Sequence, residues 1–368
     1  MIRFNDLNKQ WNYIKESANK RLENLFVTSS YILGPDVKIF EENFAKFIGT
    51  KYAIGVSNGT DALKLCYESL ELQGKVGIII QANTYVATAM AAKYSYPNAD
   101  IIFCDVDEYY EMDCKALEQI LKENRNNWDD CIITPVHMFG MACDIDSLSK
   151  IAKKYNAFIV EDCSQAHGAE CNNIKVGNIG VVNGFSCYPG KNLGAFGDAG
   201  VITTNSDKFY NIILKKRNIG FIEKFNHVTL GHNHRLDTIQ AIILDEKLKY
   251  LDEWNKRRTE FAKRIITETV NSNLTFMKTP HYCTNNVYHV LFVTVESREH
   301  FQNYLNENDV QSNIHYPIPI EKMKMFLTPY ENKRTNFYCD HAISLPIHPF
   351  MDDDIDQLIK VLNNYKTK

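Results

Sequence analysis

The sequence predicts an α/β protein built on a large, mostly parallel sheet and completed by a smaller α+β unit. Three observations carry this expectation. Strand-like and helix-like segments alternate from residue 52 to residue 161, which is the pattern of successive βαβ units. The apolar run Phe158, Ile159, Val160 stops at Glu161 and Asp162, and in open α/β sheets ligands bind beyond the carboxyl ends of the strands. A glycine-punctuated stretch, residues 184–200, begins as a further strand-like run.

In order, residues 11–26 space Trp11, Ile14, Ala18, Leu22, Leu25 and Phe26 along one face of an amphipathic helix. Residues 33–36 form a turn, and a second helix carries Phe40, Phe44 and Phe47. Strands are expected at 52–56, 76–80, 100–104, 131–135 and 157–161, with helices at 60–71, 85–95, 114–123 and 144–155 between them. A strand at 199–204, a helix at 207–217 and one long helix over 234–270 follow. Residues 286–295 and 297–308 read as strand and helix, and 340–366 as a final strand and helix. No Pro/Gly-rich linker marks a boundary, so the division into domains 1–250 and 251–368 is placed within the long helix.

Composition narrows the function classes. At 368 residues and 45% hydrophobic the chain can bury a large core. The net charge of −4, with Lys and Arg scattered, offers no nucleic-acid surface. No apolar run approaches the roughly 20 residues of a membrane span, and the polar start does not read as a signal peptide. Ten cysteines occur without a CxxC pair, as expected of reduced thiols in a cytoplasmic protein without a metal site. A nicotinamide-type dehydrogenase is excluded, because no G-x-G-x-x-G follows the first strand.

Three stretches carry the chemistry. In residues 184–200 a Pro189-Gly190 turn throws Lys191 outward, with Gly194, Gly197 and Gly200 beyond it. A lysine held partly desolvated in such a loop can lose its proton and act as an amine nucleophile. Asp162 ends a buried strand and would point into a site. Residues 53–65 read as strand, turn and helix, with Ser57, Asn58, Gly59 and Thr60 at the helix start. A helix start presents N–H groups and a positive dipole end to a phosphate, and Asn58 also suits the N-cap. An amine, an acid partner for a pyridinium nitrogen and a phosphate cradle are what pyridoxal 5′-phosphate requires.

With these residues in place the chain resembles the DegT/DnrJ/EryC1/StrS sugar aminotransferases. The matching stretches are 57–63 (SNGTDAL), 82–89 (ANTYVATA), 135–140 (PVHMFG), 161–169 (EDCSQAHGA), 185–198 (FSCYPGKNLGAFGD), 235–241 (RLDTIQA) and 315–319 (HYPIP). They run in the family's order across nearly the whole chain. The resemblance implies the aspartate-aminotransferase-like fold type I of pyridoxal phosphate enzymes. It implies that Lys191 forms the Schiff base and moves the proton, and that Asp162 keeps the pyridine nitrogen protonated. Gln165 matches the position that hydrogen-bonds the ring oxygen, and Gly59, Thr60 and Ser186 match the phosphate positions. Tyr85 matches the stacking aromatic. Asn233 matches a residue that reaches the cofactor phosphate of a partner subunit, which implies a homodimer with shared active sites.

Tyr188, His315 and Tyr316 are the candidates for contacting substrate, and the prolines at 317 and 319 fix an extended segment beside the last two. His137 and His167 sit at strand ends expected to face the site; for each, a structural role competes with a catalytic one. Departures from the family pattern are Gln81 where proline is common, Cys187 in place of an aromatic, Ala199 in place of a glycine, and the absence of an acidic turn in 70–83. The resemblance thus implies transfer of an amino group from L-glutamate, through pyridoxamine phosphate, to carbon 3 or carbon 4 of a nucleotide-linked keto sugar. A dTDP-linked 6-deoxy-ketohexose is the expected acceptor. Two other readings stay open. One is a sugar dehydratase, whose family members resemble this chain but carry His where Lys191 stands, and the other is a non-catalytic regulatory protein of the same fold.

Overall fold

A computed structural model describes residues 1–223, 225–328 and 331–367. Helices α1 (Leu7–Thr28) and α2 (Pro35–Ile48) precede strand β1 (Tyr52–Val56) and α3 (Gly59–Ser69). Then β2 (Val76–Gln81), α4 (Val86–Ser95), β3 (Asp100–Cys104), α5 (Cys114–Asn124), β4 (Asp130–Thr134), α6 (Ile145–Lys154) and β5 (Phe158–Asp162) alternate. The short β6 (Glu170–Cys171) and β7 (Ile174–Lys175) lead to β8 (Val182–Ser186), β9 (Gly200–Thr204) and α7 (Asp207–Lys216). After β10 (Phe221–Glu223) and β11 (Asn226–His227) come α8 (Thr238–Leu248) and α9 (Leu251–Glu268). The chain closes with β12 (Thr275–Phe276), β13 (Cys283–Asn285), β14 (Leu291–Thr294), α10 (Arg298–Glu307), α11 (Lys333–His341), β15 (Ala342–Leu345) and α12 (Ile355–Asn364).

Among the described residues the main sheet has seven strands in the order β1-β9-β8-β5-β4-β2-β3. The pairs β3–β2, β2–β4, β4–β5 and β5–β8 are parallel. The sheet is therefore mostly parallel, as the alternation predicts, and β9 alone runs against the other strands, antiparallel to both β8 and β1. β1 lies at the sheet edge beyond β9 and runs in the same direction as the parallel strands; the sequence pattern of a βαβ unit does not say which strand the crossover returns beside. All six residues of β2 are buried, as befits a strand covered on both faces. A smaller antiparallel sheet, β12-β14-β15, forms in the C-terminal third.

The helix expected over 234–270 is two helices. Tyr250 N–H bonds to the Lys247 carbonyl at 3.0 Å, tightening the end of α8, and Trp254 N–H bonds to the Tyr250 carbonyl at 2.9 Å to start α9. Tyr250 stacks on Trp254 and meets Tyr13 edge-on, and that packing redirects the chain at the junction. Both helices bury apolar faces, so the periodicity runs through the break. Helix α11 was not expected; it buries Thr335, Asn336, Tyr338 and Cys339, a mixed set without an apolar period. All ten cysteines are free, and no described helix is long and apolar enough to cross a membrane.

Candidate functional site

A cavity of ≈ 770 Å³ opens at the carboxyl ends of the parallel strands, where α3, α4, β5 and β8 meet segments of the C-terminal third. Asp162, the last residue of β5, is anchored through its backbone: its N–H reaches the Pro135 carbonyl at 3.0 Å and its carbonyl accepts from His137 N–H at 3.0 Å. Its side chain is 3% exposed. Oδ2 accepts from Thr88 Oγ1 at 2.7 Å and Oδ1 from Ser164 N–H at 3.0 Å. The carboxylate thus has a fixed plane and still borders the cavity.

The start of α3 forms the next wall. Asn58 is the N-cap, its side chain accepting from Asp61 N–H at 2.8 Å. The first N–H groups of a helix have no intrahelical acceptor, so those of Gly59 and Thr60 are available where both residues line the cavity. A Cβ on Gly59 would lie 2.4 Å from Ser186 Cβ. Only glycine permits this approach, which brings the Ser186 hydroxyl beside the helix start.

Lys191 stands on a loop tied down along its length. Its N–H closes a turn onto the Tyr188 carbonyl at 2.8 Å, and Ala195 N–H returns to the Cys187 carbonyl at 2.8 Å. Gly194 sits so close to Pro189 that a Cβ would be 2.3 Å from its carbonyl oxygen, and Lys247 Nζ donates to the Gly194 carbonyl at 2.6 Å. Asn192 bonds to Asn255 Oδ1 at 2.9 Å and to the Val287 carbonyl at 3.0 Å. The ammonium of Lys191 reaches the cavity while protein encloses it. Burial pushes its pKa down to about 8, with Asp162 and Cys187 opposing the shift.

Gln165 presents a fixed amide: Oε1 accepts from Phe139 N–H at 2.9 Å, and Nε2 donates to Tyr316 Oη at 3.3 Å. Tyr85, the N-cap residue of α4, is exposed, with its ring 5.2 Å from that of Tyr316. His315 lines the same wall, with Nδ1 2.9 Å from Ser344 Oγ; burial and then the charge of Lys191 bring its pKa to about 4. Tyr188 lies at the rim, 60% exposed.

The cavity therefore brings together Lys191, Asp162, Gly59, Thr60, Tyr85, Gln165, Ser186, Tyr188, His315 and Tyr316. Asn233 is the exception. It is exposed, opposite Asn218 in an isolated bridge, and lies outside the cavity of its own chain.

The expectation that His137 and His167 face the site is corrected, since neither lines the cavity. His137 is fully buried; Nδ1 accepts from Cys143 N–H at 3.0 Å, which leaves Nε2 to donate to Glu161 at 2.9 Å. Glu161 also accepts from Gly177, Ile179 and Gly180 N–H, so this pair is a structural tie behind β5. His167 is buried behind the Lys191 loop beside Cys187, and burial, then Lys191, lowers its pKa to about 3. The sequence reading missed Thr88, Ser164, Arg258, His289 and Asn313, all of which line the cavity. Thr88 had a signal, since it stands one helical turn beyond Tyr85. Arg258 and His289 lie in no motif.

These residues fit pyridoxal phosphate. One enclosed space holds a helix-start anion cradle, an oriented carboxylate and an amine of lowered pKa, with an aromatic ring at its edge.

Comparison with known proteins agrees with this geometry. The model of the DegT/DnrJ/EryC1/StrS aminotransferase family matches residues 12–363. The chain is 37% identical to dTDP-3-amino-3,6-dideoxy-alpha-D-galactopyranose transaminase of Aneurinibacillus thermoaerophilus, over 99% of each chain. It is 30% identical to dTDP-3-amino-3,4,6-trideoxy-alpha-D-glucose transaminase of Streptomyces venezuelae, over 95% of this chain and 92% of that one. The crystal structure of S. venezuelae DesV superposes with a TM-score of 0.93 at 28% identity, covering 100% of this chain and 99% of that one.

Proposed function

The chain belongs to the DegT/DnrJ/EryC1/StrS aminotransferase family, and from that premise we propose that it moves the amino group of L-glutamate to carbon 3 of a dTDP-linked 6-deoxy-ketohexose. It is a pyridoxal phosphate-dependent nucleotide-sugar aminotransferase. Carbon 3 and dTDP are supported by the names of the two relatives above, both 3-amino dTDP-sugar transaminases. The observation that carries the reading is that Lys191, Asp162 and the start of α3 open into one cavity. The lysine disfavours dehydration, and the intact set of site residues disfavours a purely regulatory role.

Bound pyridoxal phosphate supplies an electron sink that lets the proton on the amino-bearing carbon leave. Gly59 and Thr60 N–H, with Ser186 Oγ, hold its phosphate. Asp162, oriented by Thr88 and Ser164, would hold a proton on the pyridine nitrogen. Gln165 Nε2 would donate to the ring oxygen, and Tyr85 would cover the ring. Lys191 Nζ would hold the cofactor at its carbonyl carbon, and as a free amine it would be the group that accepts a proton from the donor and delivers one to the sugar carbon. Burial, which lowers the pKa to about 8, suits this work, because more of the amine is uncharged near neutral pH than in an ordinary lysine. His315, Tyr316 and Tyr188 line the path of the sugar.

Asn233 acts in the partner subunit's site of a homodimer. Support comes from its place outside its own cavity and from the exposed apolar side chains Ile222, Val228 and Leu230 on the adjoining segment. The division into 1–250 and 251–368 is supported by the helix break at Tyr250; Lys368 lies outside the described residues. The buried free thiols support a cytoplasmic location. Incubation with 15N-labelled L-glutamate and the 3-keto sugar nucleotide, read by NMR, is expected to place 15N on carbon 3. Amination of the 4-keto isomer alone would overturn the carbon assignment.

A further inference from the structure

Arg258 on α9 lines the cavity yet has no part in the chemistry above. It is 2% exposed. Among the described residues its guanidinium makes one hydrogen bond, from Nη1 to the Ile347 carbonyl at 2.6 Å. Burial pulls its pKa down to about 9, and no carboxylate opposes that shift. A buried cation without a counter-ion is costly, and a guanidinium with spare N–H groups at a cavity is a ready receptor for a planar anion.

Its surroundings leave that charge unmet. His289, which also borders the cavity, has its pKa held down by burial, with Lys191, Arg258 and His315 adding to the effect. Its Nδ1 is 3.1 Å from Asn192 Oδ1, on the Lys191 loop. His348 is brought to about 4 by burial, with Arg258 contributing. Lys191, Arg258 and His289 line the same cavity, so an anion held at Arg258 shares one enclosed space with the reacting amine.

We propose that Arg258 receives a carboxylate of the amino donor and so selects an amino acid for the first half of the reaction. This rests on the transamination reading. A carboxylate suits the position better than the diphosphate of the sugar nucleotide. Arg258 is almost wholly enclosed, whereas a diphosphate continues into a nucleotide that needs the open rim near Tyr188. The cofactor phosphate has its own cradle at the start of α3.

The test measures binding of glutarate, a dicarboxylate without an amine, to holoenzyme by calorimetry. Arg258→Gln is expected to weaken glutarate roughly 30-fold or more and Arg258→Lys by a smaller factor. The cofactor spectrum and dTDP affinity should not change. Unchanged glutarate affinity in both variants overturns the assignment, and transamination still stands if L-glutamate converts the cofactor band. A fall in dTDP affinity with glutarate unaffected overturns it in favour of a diphosphate site. A wild-type holoenzyme indifferent to L-glutamate sinks both readings. If the variants do not fold, a crystal structure of the wild-type holoenzyme with glutarate decides. A carboxylate on the Arg258 guanidinium supports the proposal, and glutarate bound elsewhere overturns it.

Discussion

Thr88 Oγ1 donates a hydrogen bond to Asp162 Oδ2 at 2.7 Å, on a carboxylate that is 3% exposed. With Ser164 N–H on the other oxygen, the acid is oriented by two separate elements, α4 and the turn after β5. Thr88→Val keeps the shape and removes the donor. A hydrogen bond to a charged group contributes about 1.5–3 kcal/mol, so cofactor binding should weaken roughly tenfold or more. Titration of the apoprotein with pyridoxal phosphate measures this, and Thr88→Ser should restore it. Equal affinity in the valine variant would mean that Thr88 does not support the acid.

Lys191 predicts a pH dependence. Only the uncharged amine attacks a carbonyl, so capture of pyridoxal phosphate by the apoprotein should accelerate as pH rises and level off above about 8. Asp162 raises this pKa. Removing its charge in Asp162→Asn should therefore move the midpoint to lower pH. Stopped-flow absorbance across the pH range gives both midpoints, and a midpoint near the ordinary lysine value would contradict the enclosed geometry of the loop.

The features legible in the sequence were those in which local pattern and site coincide. The strand ending at Asp162, the helix start at Gly59 and the turn before Lys191 were each visible because a change of period or a glycine marks the spot. What stayed hidden depends on the tertiary path. β1 pairs with β9 at the sheet edge, a choice that no local pattern encodes. The break at Tyr250 follows from aromatic packing on Trp254 and Tyr13. His137 looked like a site residue by position, but Cys143 N–H and Glu161 hold both its nitrogens away from the cavity. Arg258 and His289 reach the site from the C-terminal third.

Gln165 and Tyr316 can be separated by substitution. Tyr316→Phe removes one partner of the Gln165 amide, the other being Phe139 N–H. The amide stays oriented, so turnover should fall only about two- to fivefold. Gln165→Leu removes the donor altogether and should both shift the cofactor absorption band and cost roughly tenfold or more in turnover. A larger loss from Tyr316→Phe than from Gln165→Leu would show that the tyrosine hydroxyl acts directly on substrate.

Shared active sites make a quantitative prediction. Lys191→Ala and Asn233→Ala variants should each be poorly active alone. Mixed and allowed to exchange subunits, half the dimers are hybrids with one intact site each, so activity should recover to about a quarter of wild type. No recovery, with exchange verified by native mass spectrometry, would place Asn233 outside the partner's site. Leu230→Asp, on the exposed segment, should shift sedimentation toward monomer.

The most direct test follows the cofactor absorption of the purified holoenzyme through two additions. L-glutamate should convert the pyridoxal band to the pyridoxamine band, and the 3-keto dTDP-sugar should then restore the first band. Lys191→Ala should complete neither change. A pyridoxal band that does not respond to L-glutamate, or restoration by no keto sugar nucleotide, would contradict the account at its centre.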